Sequence, residues 1–208
     1  MPSLDTLLPF LGIAILLGLA PGPDNIFVLL QSAMHGTRAG LTVVLGLCTG
    51  LIVHTAVVAV GLAALLAASV VAFTVLKIAG ALYLVYLAWQ AFRAPVGTLK
   101  ASGPAVKPGK HMYWRGVVMN LTNPKVVIFF LAFLPQFVNA ERGHVALQLM
   151  VLGFVFILAT LLVFGSIAWF SGVFGRVLMR SVRMQRAVNW FAGTVFLALA
   201  GRLALSQR

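Results

Sequence analysis

Apolar runs of twenty residues or more alternate with short polar or basic stretches along the whole chain. A helix that crosses a bilayer needs about 20 mostly apolar residues. Six segments meet that length: about Leu4 to Ala33, Leu41 to Leu66, Val71 to Phe92, Trp114 to Val138, Val145 to Phe170 and Val188 to Leu205. Between the third and fourth lies APVGTLKASGPAVKPGKH (Ala94 to His111), whose Pro, Gly and Lys content predicts a linker. The pattern predicts an all-α polytopic membrane protein with six transmembrane helices, forming a single transmembrane domain over residues 1–208. The first run, LLPFLGIAILLGLA, imitates a signal peptide. It carries Asp5 in place of a basic leader, and its small residues are followed by Pro21, so it reads as a retained span.

Two of the six segments are interrupted by helix breakers. Pro21, Gly22, Pro23, Asp24 and Asn25 interrupt LGLAPGPDNIFVLL in the first, and Asn120, Asn123, Pro124 and Lys125 interrupt the fourth. Aligning Pro23 with Pro124 places IFVLL over VVIFF, and Ile78–Leu84 resembles Phe191–Leu197 in the third span of each half. Three spans per half give the halves opposite orientations. The expectation is therefore two inverted three-helix repeats with broken first helices: repeat one at about 1–93, a linker at about 94–113 and repeat two at about 114–208. Paired broken helices mark the midplane site of inverted-repeat transporters.

A helix broken within a membrane ends in free carbonyls and restarts with free N–H groups, which carry opposite partial charges. Irregular backbone persists at that depth only where it is buried in protein or lines a cavity. Carbonyls near Gly18 to Ala20 suit an ammonium group. N–H groups near Asp24 to Ile26, and near Lys125 to Val127, suit a carboxylate. A site with both is complementary to a zwitterion, which is the form of a free amino acid.

Composition agrees. The chain is 62% hydrophobic and 9% charged, against roughly 45–50% and about 25% in ordinary soluble domains. The net charge of +12 is not a nucleic-acid signal, because the basic residues lie between apolar spans. Ten of the fifteen fall after spans one, three and five: Arg38; Arg93, Lys100, Lys107, Lys110 and Arg115; Arg176, Arg180, Arg183 and Arg186. Three (Arg142, Arg202 and Arg208) fall on the other side. That bias predicts a cytoplasmic linker and periplasmic termini. A re-entrant first segment would instead put the N-terminus in the cytoplasm. A disulfide framework is excluded, because Cys48 is the only cysteine.

Asp24 is the leading candidate site residue. An intramembrane carboxylate costs on the order of 2.5–3.5 kcal/mol by insertion scales. Its two candidate roles are holding a substrate ammonium and carrying a coupling proton. Gly22, Asn25, Asn120 and Asn123 supply backbone approach and neutral donors and acceptors at the breaks, with Asn123 also suited to cap the half-helix that starts at Pro124. Lys125 is a partner for Asp24 or for a substrate carboxylate, or else a snorkelling lysine. His54, midway along the second span, is a second proton-coupling candidate. Gly46 and Gly50 form a small-xxx-small face that either packs inside the fold or makes a homodimer. Phe129, Phe130, Phe133 and Phe137 follow helical spacing and read as core or lipid-facing. The series Arg176, Arg180, Arg183 and Arg186 reads as one basic face of a short helix against lipid headgroups.

Other classes fit less well. An intramembrane enzyme needs a nucleophile with a base, paired aspartates or metal ligands. None of these combinations is legible, and no metal or cofactor is expected. A small-solute channel is the alternative transport reading.

The motifs LGLAPGPDNIFVL, GLCTGLIVHTAVVAVGL, LKIAGALYLVYLAWQAFR and GVVMNLTNPKVVIFFLAFLPQF, taken together and in order, resemble the LysE/RhtB-type amino-acid exporters. The resemblance covers nearly the whole chain. It implies a multi-pass carrier of the bacterial inner membrane that exports amino acids in exchange for protons. The neutral, threonine/homoserine-like branch is the most similar.

Overall fold

The apolar runs fold mainly as helix, and the two interruptions fall where Gly22 precedes Pro23 and where Asn123 precedes Pro124. The computed structural model describes residues 2–68, 70–94, 96, 109–171 and 181–205. Its elements are α1 (Leu4–Leu19), α2 (Pro23–His35), α3 (Thr37–Ala68), α4 (Val70–Arg93), α5 (Lys110–Thr122), α6 (Pro124–Ile128), α7 (Val145–Trp169) and α8 (Val182–Leu205). No strand occurs among the described residues.

Four helices are long and apolar enough to cross a membrane, and the count rises to six if each bent pair is one span. The bent pairs are α1 with α2, which meet at 64°, and α5 with the segment Pro124–Phe137, which meet at 50°. The outer surface carries Val60, Val71, Leu82 and Trp169, each more than three-fifths exposed. Such a surface suits acyl chains and not water. The chain is a multi-pass membrane protein.

Several boundaries move relative to the sequence reading. Helix α5 starts at Lys110, so the linker is shorter than expected. Lys100 and Lys107 lie outside the described residues, as do Arg176 and Arg180. Arg183 and Arg186 sit on the first turns of α8 instead of on a separate short helix.

The larger departure follows α6. Residues Phe129–Phe133 form a π-helical turn and Leu134–Phe137 a 3-10 turn. Pro135 is the cause. It has no N–H to give to the carbonyl four residues back, and its ring crowds that carbonyl, so the backbone must widen before it.

This widened turn carries the aromatic core. Phe129, Phe130, Phe133 and Phe137 are all buried, and they meet Phe10 of α1 and Phe156 of α7. Phe10–Phe137 and Phe129–Phe156 centroids each lie 5.0 Å apart. Aromatic pairs at this spacing contribute about 0.5–1.5 kcal/mol beyond simple burial.

Gly46 settles which way its small face turns. It packs within the fold on α5, so closely that an added Cβ would collide with the Tyr113 carbonyl oxygen. Gly116 makes the reciprocal approach to the Val43 carbonyl, and the side chains of Thr49 and Tyr113 hydrogen-bond beside it at 2.8 Å. Gly50 faces the Asn120 side chain. The α3–α5 pair is therefore drawn together backbone to backbone, which fixes the second break against the middle of α3.

Candidate functional site

Proline chemistry opens the first break. In a continuous helix residue 21 would donate to the Leu17 carbonyl, but Pro21 has no N–H. Ala20 and Gly22 are extended, and α2 restarts at Pro23. The end of α1 is thus left with carbonyls that its own backbone does not pair. Gly18 O accepts from Asn25 Nδ2 at 2.6 Å. Leu17 O and Ala20 O accept from Lys125 Nζ at 3.2 and 3.1 Å.

The second break is built on Asn123. Its Oδ1 accepts from Lys125 N at 3.0 Å, and its carbonyl accepts from Val126 and Val127 N, both at 3.0 Å. These bonds overturn one expectation: the N–H groups from Lys125 to Val127 are spent within the protein and do not await a carboxylate. The start of α2 differs. Gly22 has no side chain with which to cap it, and no side-chain cap bond forms there.

The two breaks meet. Asn123 Nδ2 donates to Asp24 Oδ2 at 2.7 Å. Lys125 lies within electrostatic reach of Asp24, but it turns its ammonium to the α1 carbonyls. Asp24 Oδ1 consequently has no partner in the protein, and neither do Asn25 Oδ1 and Asn120 Oδ1. These are deeply buried groups: Asp24 and Asn120 are 3% exposed, Asn123 6% and Lys125 8%. A buried polar atom left unpaired costs about 1–3 kcal/mol, so the three are open acceptors at one junction, suited to water or to a ligand's donors. His54 also reaches the junction, its Nε2 donating to Asn120 O at 3.3 Å. Every sequence-predicted site residue (Gly22, Asp24, Asn25, His54, Asn120, Asn123 and Lys125) therefore lies at or beside the meeting point of the breaks formed by Pro21, Pro23 and Pro124.

Two cavities flank this junction. The wider, about 380 Å³, is lined on one side by Gly22, Pro23, Asn123 and Lys125, and on the other by Tyr83, Leu87 and Gln90 of α4 and Asn189 of α8. It runs toward Ala94, the end of the fold from which the linker leaves. The narrower, about 20 Å³, is lined by Asp24, Asn120, Lys125, Thr160 and Phe164 among others. Lys125 lines both. Tyr83, Gln90, Thr160 and Asn189 were not singled out from the sequence, although each is a polar residue in an otherwise apolar span, which is the signal that marks them. No cluster of three or more metal-ligating side chains occurs among the described residues.

Further polar groups are enclosed along α2, separated from Asp24 by Val28. Gln31 Oε1, Ser32 Oγ and His35 Nδ1 are enclosed and without partners. Asp24, Gln31 and His35 are seven and four residues apart, which places them on one helical face.

Comparison with known proteins agrees with this architecture. The model of the LysE type translocator family matches residues 10–207. The homoserine/homoserine lactone efflux proteins of Salmonella typhi and Salmonella typhimurium are each 34% identical over 194 residues, covering 93% of this chain and 92% of theirs. An uncharacterized membrane protein of Vibrio cholerae is 32% identical over 202 residues, 96% of this chain and 97% of its own. No solved structure matches the chain significantly. The likeness runs through both broken helices and every span between them, end to end with relatives of the same length, and so the chain belongs to the LysE type translocator family.

Proposed function

We propose that the protein exports small neutral amino acids, homoserine or threonine in type, across the bacterial inner membrane in exchange for protons. One observation carries the reading: the carbonyl end of α1, the uncapped start of α2 and the Asp24 carboxylate converge at one buried junction, beside a cavity of about 380 Å³. Small-molecule pockets are commonly about 300–1,000 Å³.

The poles are arranged for a zwitterion. The N–H groups at the start of α2, beside Gly22, favour a carboxylate. The Leu17 and Ala20 carbonyls, which already accept from an ammonium in Lys125, and the unpartnered oxygens of Asn25 and Asn120 favour an ammonium. Asp24 carries the coupling proton, with His54 on Asn120 as a relay. The helical face with Gln31 and His35 is its route toward the end of α2. The linker is cytoplasmic and the termini periplasmic, so the wide cavity loads from the cytoplasm. The halves are inverted repeats that exchange access about the junction. The substrate class is brought from the names of the two Salmonella relatives.

Counterflow in proteoliposomes tests the proposal. Vesicles loaded with labelled homoserine should lose it faster when unlabelled homoserine is added outside. Equal efflux with and without external substrate identifies a channel, and no movement of any amino acid rejects export.

A further inference from the structure

Lys125 occupies a position that the exporter reading assigns to the substrate. Its ammonium donates to Leu17 O and Ala20 O at 3.2 and 3.1 Å, across 108 and 105 residues of chain. Pro21 denies the Leu17 carbonyl its helical donor. The contact lies between the two cavities, because Lys125 lines both. An added Cβ on Gly22 would lie 3.3 Å from Nζ, so the absence of a side chain there gives the ammonium its room. A lysine side chain ends as an alkylammonium, the same head group that an amino acid presents.

We propose that the Leu17 and Ala20 carbonyls are the ammonium subsite of the carrier, and that Lys125 is its resident stand-in. Substrate entering from the wide cavity displaces the lysine and donates its own N–H groups to those oxygens. The displaced ammonium moves to Asp24 Oδ1, the buried carboxylate oxygen that has no partner. Release reverses the swap, with Lys125 retaking the carbonyls and expelling the substrate. The ligand class is a primary ammonium. A quaternary amine, which has no N–H, is excluded. This inference rests on the exporter reading for its substrate, but the subsite itself can be tested without transport.

The test uses purified protein with Lys125→Ala and Lys125→Gln. Propylammonium chloride should raise the melting temperature of Lys125→Ala by refilling the vacated subsite, and raise that of the wild type much less, because there it must compete with the lysine. Tetramethylammonium should do nothing to either. Labelled homoserine should bind both variants about tenfold more tightly than wild type, equivalent to about 1.4 kcal/mol, because the competitor is gone. Its exchange should slow, because nothing expels it. Weaker binding by both variants overturns the proposal, since it would make Lys125 a direct holder of substrate. So does a propylammonium shift that is equal in wild type and variant, or absent from both. If the wild type binds no amino acid, the exporter reading fails while the amine test still decides the subsite.

Discussion

Asn123 donates to Asp24 across 99 residues of sequence, at 2.7 Å, and with its other side-chain atom caps the helix that begins at Pro124. One amide thus joins the two breaks and starts α6. Asn123→Ala removes both bonds. Loss of the cap alone costs about 0.5–2 kcal/mol, and a buried hydrogen bond to a charged group is worth about 1.5–3 kcal/mol. Asn123→Asp keeps an oxygen for the cap but sets a second carboxylate against Asp24. Both variants are expected to melt below wild type in detergent, and both to lose counterflow.

Asp24→Asn separates charge from shape. The new amide oxygen still accepts from Asn123, so the junction holds and the protein folds. The negative charge is gone, and with it the proposed proton carrier and the proposed destination of the displaced lysine. Export should vanish at equal expression with little change in melting temperature. Wild-type export rates from this variant would remove Asp24 from the mechanism.

Gly46→Ala measures the α3–α5 approach. Its Cβ would meet the backbone of Tyr113, which cannot move aside like a flexible side chain. Overpacking of this kind costs about 1–3 kcal/mol. Gly12→Ala and Gly201→Ala meet nothing within 4 Å and serve as controls. A melting temperature for Gly46→Ala equal to theirs would mean the two helices do not touch.

The aromatic core gives a similar contrast. Phe129 is 1% exposed and meets four other rings, those of Phe10, Phe130, Phe133 and Phe156, whereas Phe154 is 59% exposed. Truncating a buried Phe to Ala costs about 3–5 kcal/mol. Phe129→Ala should be strongly destabilised, and Phe154→Ala close to wild type in detergent.

Accessibility checks the wide cavity. In a Cys48→Ala background, Leu87→Cys lines that cavity and should react with a water-soluble maleimide, more slowly when homoserine is present. Leu149→Cys, at a fully buried position, should stay unlabelled. Failure of Leu87→Cys to label would mean that the cavity is closed to water.

Much of this arrangement is legible in the chain, because prolines and asparagines are local signals. Pro21, Pro23 and Pro124 break helices whatever surrounds them, so both breaks appear where the sequence places them. Their meeting was signalled less directly, by the internal repeat expected from the sequence. The partners at the junction were the hard part. Whether Asn123 satisfies its own helix or leaves N–H groups for a ligand depends on one side-chain rotation. Whether Lys125 turns to Asp24 or to the Leu17 and Ala20 carbonyls depends on how closely α1 approaches α6. Neither is a property of a residue type or a period. The π turn at Phe129–Phe133 did have a signal in Pro135, hidden in a run of phenylalanines that reads as ordinary helix.

The position of Lys125 bears on what the carrier does while idle. On the proposed stand-in role, the Lys125 ammonium sets a positive charge as a cork between the two cavities until substrate displaces it, and stray sodium or potassium meets electrostatic refusal there. An exporter built this way can sit in its membrane in many copies without draining the ion gradients its cell depends on, and only an amine that matches the cork can draw it.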